Sequence, residues 1–358
     1  MLRSLELHDF KIHKDSRFDF SDMNLIIWAN GSGKTNILEA IYLLLNTRVY
    51  QSQNIERLVN FFGESFLVKW EIWEDYLSKT PKVTYDSKTQ KSSFLLNWTK
   101  STRPKYLENT KHIAVFFAPL EMNIIYLWPT LRRDFLDEVC TLSSISFSKI
   151  RSDYSKVLRN RNKLLKWIQE WKATKEDLKF WNSAFVRIAS QYYSHRKQFL
   201  DFIEANMSVV EDFLENRYKL DFNYKTKVDF NNLENSISSY IEKNTDRDII
   251  TGYTYIWPHL DDFQFMVKTA KSDVSSEECL SRGENKSILI GLKFLEIEFY
   301  KKFHSENIVI LLDDIFSELD DQHINLVMNY CNRFQTFITA QNMPQFLQDK
   351  ANMNAIYT

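Results

Sequence analysis

The stretch Asn24-Leu-Ile-Ile-Trp28-Ala-Asn30-Gly31-Ser32-Gly33-Lys34-Thr35-Asn36-Ile-Leu-Glu-Ala-Ile-Tyr-Leu-Leu-Leu45 decides how the rest of the chain reads. A short apolar run enters a small polar loop. Lys34 and Thr35 follow, and then apolar residues recur at helical spacing, at Ile37, Leu38, Ile41, Leu44 and Leu45. Strand, glycine loop and helix in this order are the context of a phosphate-binding loop. Glycines let successive backbone N–H groups turn toward phosphate oxygens, and the helix start adds its positive end. Asn30, Gly31, Ser32, Gly33, Lys34, Thr35 and Asn36 are therefore the expected nucleotide-binding set. Lys34 would reach the β- and γ-phosphates, and the Thr35 hydroxyl would bind Mg²⁺. The pattern asks for glycine at position 28, where this chain has Trp28.

Working outward, composition describes a globular chain long enough for two lobes, with 44% apolar and 26% charged residues among 358. No apolar run approaches the roughly 20 residues that span a bilayer, and a cytoplasmic protein without a membrane segment is expected. Cys140, Cys279 and Cys331 form no close pair, which argues against a zinc site or a disulfide framework. The formal net charge of −1 gives no global basic field, so any nucleic-acid site must be a local patch.

Residues 2–10 and 16–20 read as strands, as do 65–75 and 82–97 and the apolar run 115–119. From 126 the period becomes helical, with segments 130–142, 146–171, 175–204 and 206–216 almost free of glycine and proline. Strands return at 218–230 and 262–268, and a long amphipathic helix runs from Ser281 to about 303. The expected architecture is α/β. A head is formed from both chain ends (1–125 and 250–358), and a helical lobe is inserted between them (126–249).

A second element supplies acids. Ile308-Val-Ile-Leu-Leu312 is an all-apolar strand ending at Asp313-Asp314, which a parallel sheet would bring beside the phosphate loop. Asp313 is expected to hold Mg²⁺ and Asp314 to orient or deprotonate the water that attacks the γ-phosphate. Ser281-Arg282-Gly283-Glu284, at a helix start, resembles the signature motif of ABC-type ATPases, and Ser317-Glu-Leu-Asp320 resembles their D-loop. By that resemblance the signature acts in trans, pointing a helix N-terminus at nucleotide held by a second copy.

Together these motifs resemble the RecF family of the SMC and ABC ATPase group, nearly end to end. Phe117-Ala-Pro-Leu-Glu121, Arg132-Arg-Asp-Phe-Leu-Asp137 and Pro258-His-Leu-Asp-Asp-Phe263 are similar to further family motifs. The resemblance implies weak ATP hydrolysis, an ATP-dependent homodimer, binding of double-stranded and gapped DNA, and RecA loading with a RecR-type partner. A non-hydrolysing, ATP-gated DNA clamp is the alternative. A transporter subunit is excluded, because far too many residues separate Lys34 from Ser281. Candidate phosphate contacts on DNA are Lys11, Lys14, Arg17, Arg48, Arg132, Arg133, Arg159, Arg161 and Lys163.

Departures cluster on one residue type. Trp28, Trp128 and Trp257 stand where the family has glycine, and Trp98 stands where the Asn-Gly turn signal of a hairpin would end. Leu260 replaces an arginine and Asn285 a glutamine, and no glutamine lies near 115–118. Only six glycines are present where average usage of about 7% gives about 25, against nine tryptophans. A gene that writes glycine as UGA, translated as though UGA meant tryptophan, would produce this pattern.

Overall fold

The computed structural model describes residues 1–27, 31, 33–50, 54–74, 77–118, 124–126, 128–255, 258, 260–304, 307–341 and 353–357. Trp28, Asn30, Ser32 and Trp257, all singled out in the sequence, lie outside these residues, as does the side chain of Ser317. The chain divides into two compact units, Met1–Met122 with Tyr300–Thr358, and Asn123–Phe299.

The first unit is built from both chain ends around a five-stranded parallel sheet. Its order is Met353–Tyr357, Met23–Ile27, Gln335–Ala340, Ile308–Asp313 and Ile113–Phe117. A second, antiparallel sheet begins with the hairpin Leu2–Phe10 and His13–Asp19 and continues through Ser65–Glu74, Pro81–Asp86, Lys91–Leu96 and Thr99–Ser101. The helix Lys34–Asn46 shares one core with both sheets. Ile37, Leu38, Ile41 and Leu44 pack with Leu5, Leu7 and Val68 of the antiparallel sheet and with Ile26, Val309 and Phe337 of the parallel one. A helix enclosed this way must be apolar almost all round, which its sequence is. Its last residue, Asn46, is fully buried and exchanges two hydrogen bonds with the backbone of Ala114, at 2.8 and 2.9 Å. The chain ends are tied by Gln335, whose amide accepts from Leu2 N at 2.8 Å and donates to Leu2 O at 2.6 Å.

The second unit holds the helices Pro129–Ser143, Ile145–Gln169, Leu178–Ala205, Met207–Asp212 and Leu233–Thr251, and most of the long helix Arg282–His304. It also holds a small sheet of Leu220–Lys225, Asp262–Val267 and Val274–Ser275. Residues 250–299 group here and not with the head, which differs from the expected boundary. Strand pairing is the reason, since Leu220–Lys225 is hydrogen-bonded antiparallel along Asp262–Val267 and cannot be separated from it. The expected strand 82–97 is two strands broken by a turn, and the helix Leu233–Thr251 was not anticipated.

Candidate nucleotide site

The strand Met23–Ile27 leads into the glycine loop. Gly31 and Gly33 have φ of +78° and +95°, a backbone region that disfavours any side chain. A Cβ at Gly33 would also collide with Ile12. Gly33 caps the helix that opens at Lys34, and its carbonyl accepts from Asn36 N at 3.0 Å. The helix start presents its positive end here, which suits an anion. Lys34 is 8% exposed, held close to the loop by its own helix.

The acidic strand Ile308–Asp313 ends next to this helix start. Thr35 Oγ1 lies 3.0 Å from both carboxylate oxygens of Asp313. Thr339, on the neighbouring parallel strand and opposite Asp313 in register, donates its hydroxyl to Asp313 Oδ1 at 2.7 Å. Burial raises the Asp313 carboxyl above the usual carboxylate range. Asp314 adds to that, while the Thr339 and Thr35 hydroxyls and Lys34 oppose it. Asp314 has φ of +50°, and its N–H donates to Thr339 Oγ1 at 3.0 Å. A backbone turned this way carries a side chain at energetic cost, and such strain concentrates at functional sites.

This donor set fits a hard divalent cation: a hydroxyl and a half-buried carboxylate, both oxygen. Mg²⁺ is usually held by one or two protein oxygens, phosphates and water. Among the described residues no group of three or more His, Cys, Asp and Glu could hold a metal without such help.

Glu39 and Lys11 complete the surroundings. Burial raises the Glu39 carboxyl, the Lys11 ion pair opposes this, and Asp313 adds to it. Lys11, expected to meet DNA, is thus engaged with a helix carboxylate. His13 Nε2 stands 3.4 Å from the Gly33 carbonyl oxygen. Glu39, His13 and Thr339 were not found in the sequence. Thr339 sits in the short run Phe337-Ile-Thr-Ala, and only strand register reveals its neighbour.

The signature residues lie in the other unit. Ser281 and Glu284 form a reciprocal helix cap: Ser281 Oγ accepts from Glu284 N at 3.2 Å, and Glu284 Oε2 accepts from Ser281 N at 2.9 Å. Burial works against ionisation of Glu284, but Ser281, Tyr218 and Arg217 hold its pKa below the usual range. Arg282 and Gly283 are exposed. Asp320 caps the helix Asp321–Cys331, accepting from His323 N at 2.9 Å, and Ser317 belongs to the single turn Ile315–Glu318.

Two expected DNA contacts need correction. Arg132 is 6% exposed and bound through two nitrogens to Asp262, at 2.6 and 2.8 Å, with further bonds to the carbonyls of Ile124 and Ile125. Arg161 is fully buried against Asp248. Neither guanidinium can leave its carboxylate without stranding a buried charge. Arg133 is half-buried and bonds to Asp261 O, and Arg48 is half-buried as well. Lys14, Arg17, Arg159 and Lys163 are exposed.

The family described as the RecF/RecN/SMC N-terminal domain matches residues 1–358. The chain is 31% identical to the DNA replication and repair protein RecF of Ruminiclostridium cellulolyticum, over 97% of this chain and 94% of that protein. To the protein of the same name from Lachnoclostridium phytofermentans it is 27% identical, over 100% and 97%. Its fold is similar to a solved structure of the recombination mediator protein RecF-ATP in the RecFOR pathway. The TM-score is 0.84, the identity 25%, and the coverage 96% of this chain and 92% of the other. A second, of RecF-ATPrS, gives a TM-score of 0.85 at 25% identity, covering 100% and 96%. Among the described residues no helix is long and apolar enough to cross a membrane.

Proposed function

The chain belongs to the RecF family within the RecF/RecN/SMC N-terminal domain group, and from that premise we propose that it is an ATP-dependent DNA-binding mediator of recombinational repair, acting in the cytoplasm. It dimerises on ATP, binds double-stranded and gapped DNA, hydrolyses ATP weakly, and works with a RecR-type partner to load RecA.

The observation that carries this reading is the 3.0 Å approach of Thr35 to Asp313, which joins two motifs that the sequence separates by most of its length. Loop N–H groups and Lys34 hold the β- and γ-phosphates. Thr35 and Asp313 would hold Mg²⁺, which would supply positive charge to offset that of the phosphates. Asp314 orients the attacking water. Ser281, Arg282, Gly283 and Glu284 of a second copy close over the γ-phosphate, so hydrolysis waits on dimerisation, and Ser317 and Asp320 lie at the D-loop between copies.

DNA is held through its phosphates, with Lys14, Arg17, Arg159 and Lys163 as the exposed candidates, so binding falls steeply with salt and reads little sequence. Trp28, where the loop pattern wants glycine, favours the second reading of a gate that binds nucleotide and does not turn it over.

Light scattering with and without ATP, ATP turnover with and without duplex DNA, and the same assays on Lys34→Met test both. An ATP-dependent dimer whose slow turnover is lost in Lys34→Met supports the mediator reading. Equal turnover in both proteins leaves only the gate, and absence of nucleotide binding removes both.

A further inference from the structure

Two tryptophans occupy left-handed backbone conformations that favour glycine, and among the eleven described non-glycine residues with positive φ they are the two aromatic ones. The strands Lys91–Leu96 and Thr99–Ser101 pair with Leu96 opposite Thr99, leaving a two-residue loop, Asn97-Trp98. Both loop residues have positive φ, +48° and +69°. That is the turn geometry matching strand twist, and it selects Asn-Gly because its second residue is left-handed. Trp98 takes that place while 74% exposed, and although the Lys82 ammonium lies over its ring, that contact does not require a left-handed backbone.

The second case ends the helix Ile145–Gln169. Glu170 is its last cap residue, and Trp171 follows at φ +59°. Trp171 N donates to Ile168 O at 3.1 Å and Lys172 N to Trp167 O at 2.8 Å. This pair of bonds is the Schellman motif, whose left-handed position is glycine's most frequent place in helices. Trp171 is 95% exposed. The helix Leu233–Thr251 ends in the same handedness, and there the residue is Gly252, φ +68°.

Aromatic side chains as a class do not do this. The chain has 27 Phe and 17 Tyr, and among the described residues none has positive φ. Trp167, inside the helix, and Trp70, 1% exposed in the core, sit where an aromatic side chain belongs. The misplaced tryptophans coincide with a glycine deficit, six in 358 residues.

We propose that residues 98 and 171 are glycine in the protein its own cell makes, because the gene writes them as UGA and a glycine-charged tRNA reads that codon there. The same decoding supplies residue 28, completing the Gly-x-x-x-x-Gly-Lys-Thr loop through Lys34 and Thr35. That extension deepens the nucleotide-site reading and rests on it, whereas positions 98 and 171 stand on backbone geometry alone.

Peptide mass spectrometry of the protein isolated from its native cells tests this without reference to ATP. Trypsin releases residues 92–100, 167–172 and 18–34 as separate peptides. Glycine at 98 and 171, with tryptophan retained at 167 in the same peptide as 171, is the expected result. Tryptophan at 98 or 171, or UGG at either codon, overturns the proposal. Tryptophan at 28 beside glycine at the other two overturns its extension to the phosphate loop, and leaves the nucleotide site to be judged by its own assays.

Discussion

The Thr339 hydroxyl donates to Asp313 Oδ1 at 2.7 Å and accepts from Asp314 N at 3.0 Å, so one side chain fixes both acids at the end of the central strand. Groups that orient a metal ligand typically account for 10–100-fold in metal affinity. Thr339→Val, equal in shape, removes both bonds. It is expected to weaken Mg²⁺ binding in the presence of nucleotide about 10-fold or more, and to cost about 1–3 kcal/mol of stability through the stranded N–H. Thr339→Ser keeps both properties. Calorimetric titration of Mg²⁺ and a urea midpoint for each variant measure them.

The raised carboxyl of Asp313 sets a pH dependence. Burial is the leading cause and Asp314 adds to it. If Asp313 holds the proposed Mg²⁺, protons compete with it for this carboxylate, so Mg²⁺ affinity should fall as pH drops, with a midpoint above the ordinary value of about 3.9. The contribution to folding has the opposite sign from a salt-bridged aspartate. A carboxyl raised in the folded state favours folding below its unfolded pKa and loses that contribution as pH rises through the folded one. In Thr339→Val a bond that lowered the pKa is gone, so the Mg²⁺ midpoint should move further up. A midpoint unchanged from that of an exposed aspartate would remove Asp313 from the metal site.

What the sequence made legible was local. Gly31, Gly33, Lys34 and Thr35 announce their loop within a few residues, and Ile308–Asp313 announces a buried strand by being apolar throughout. Register between strands is not local. Thr339 meets Asp313 only because two parallel strands align, and nothing near residue 339 reports it. Burial of charge was equally hidden. Lys11, Arg132 and Arg161 look like surface cations until their carboxylates, Glu39, Asp262 and Asp248, are brought to them from far along the chain. The helix Leu233–Thr251 was missed because only Ile237 and Ile241 among its apolar residues are fully buried, while others, such as Ile250, stand exposed among polar neighbours.

The helical unit has its own polar center. Arg196, 1% exposed, donates to Asp137 Oδ1 from Nε and Nη2 at 3.1 and 2.7 Å, and Tyr192 donates to Oδ2 at 2.5 Å. Asp137→Ala leaves a buried guanidinium without its counter-charge, an error that costs about 3–5 kcal/mol. A large fall in the denaturant midpoint is expected. A fall of only a few tenths would mean that Asp261, linked to Arg196 through the Tyr224 hydroxyl, supplies the counter-charge instead.

Ser281 carries two roles that one substitution cannot separate. It caps its helix through Glu284, and it is proposed to face the γ-phosphate of a second copy. Ser281→Ala removes both, lowering stability by about 1 kcal/mol. Ser281→Asn restores a capping side chain but not the hydroxyl. If the serine meets nucleotide across the dimer, both variants lose ATP-induced dimerisation, and only Ala lowers the melting temperature. Recovery of the ATP-dependent dimer in Ser281→Asn would reduce the signature to a helix cap, and the closing of two copies over nucleotide would need other residues.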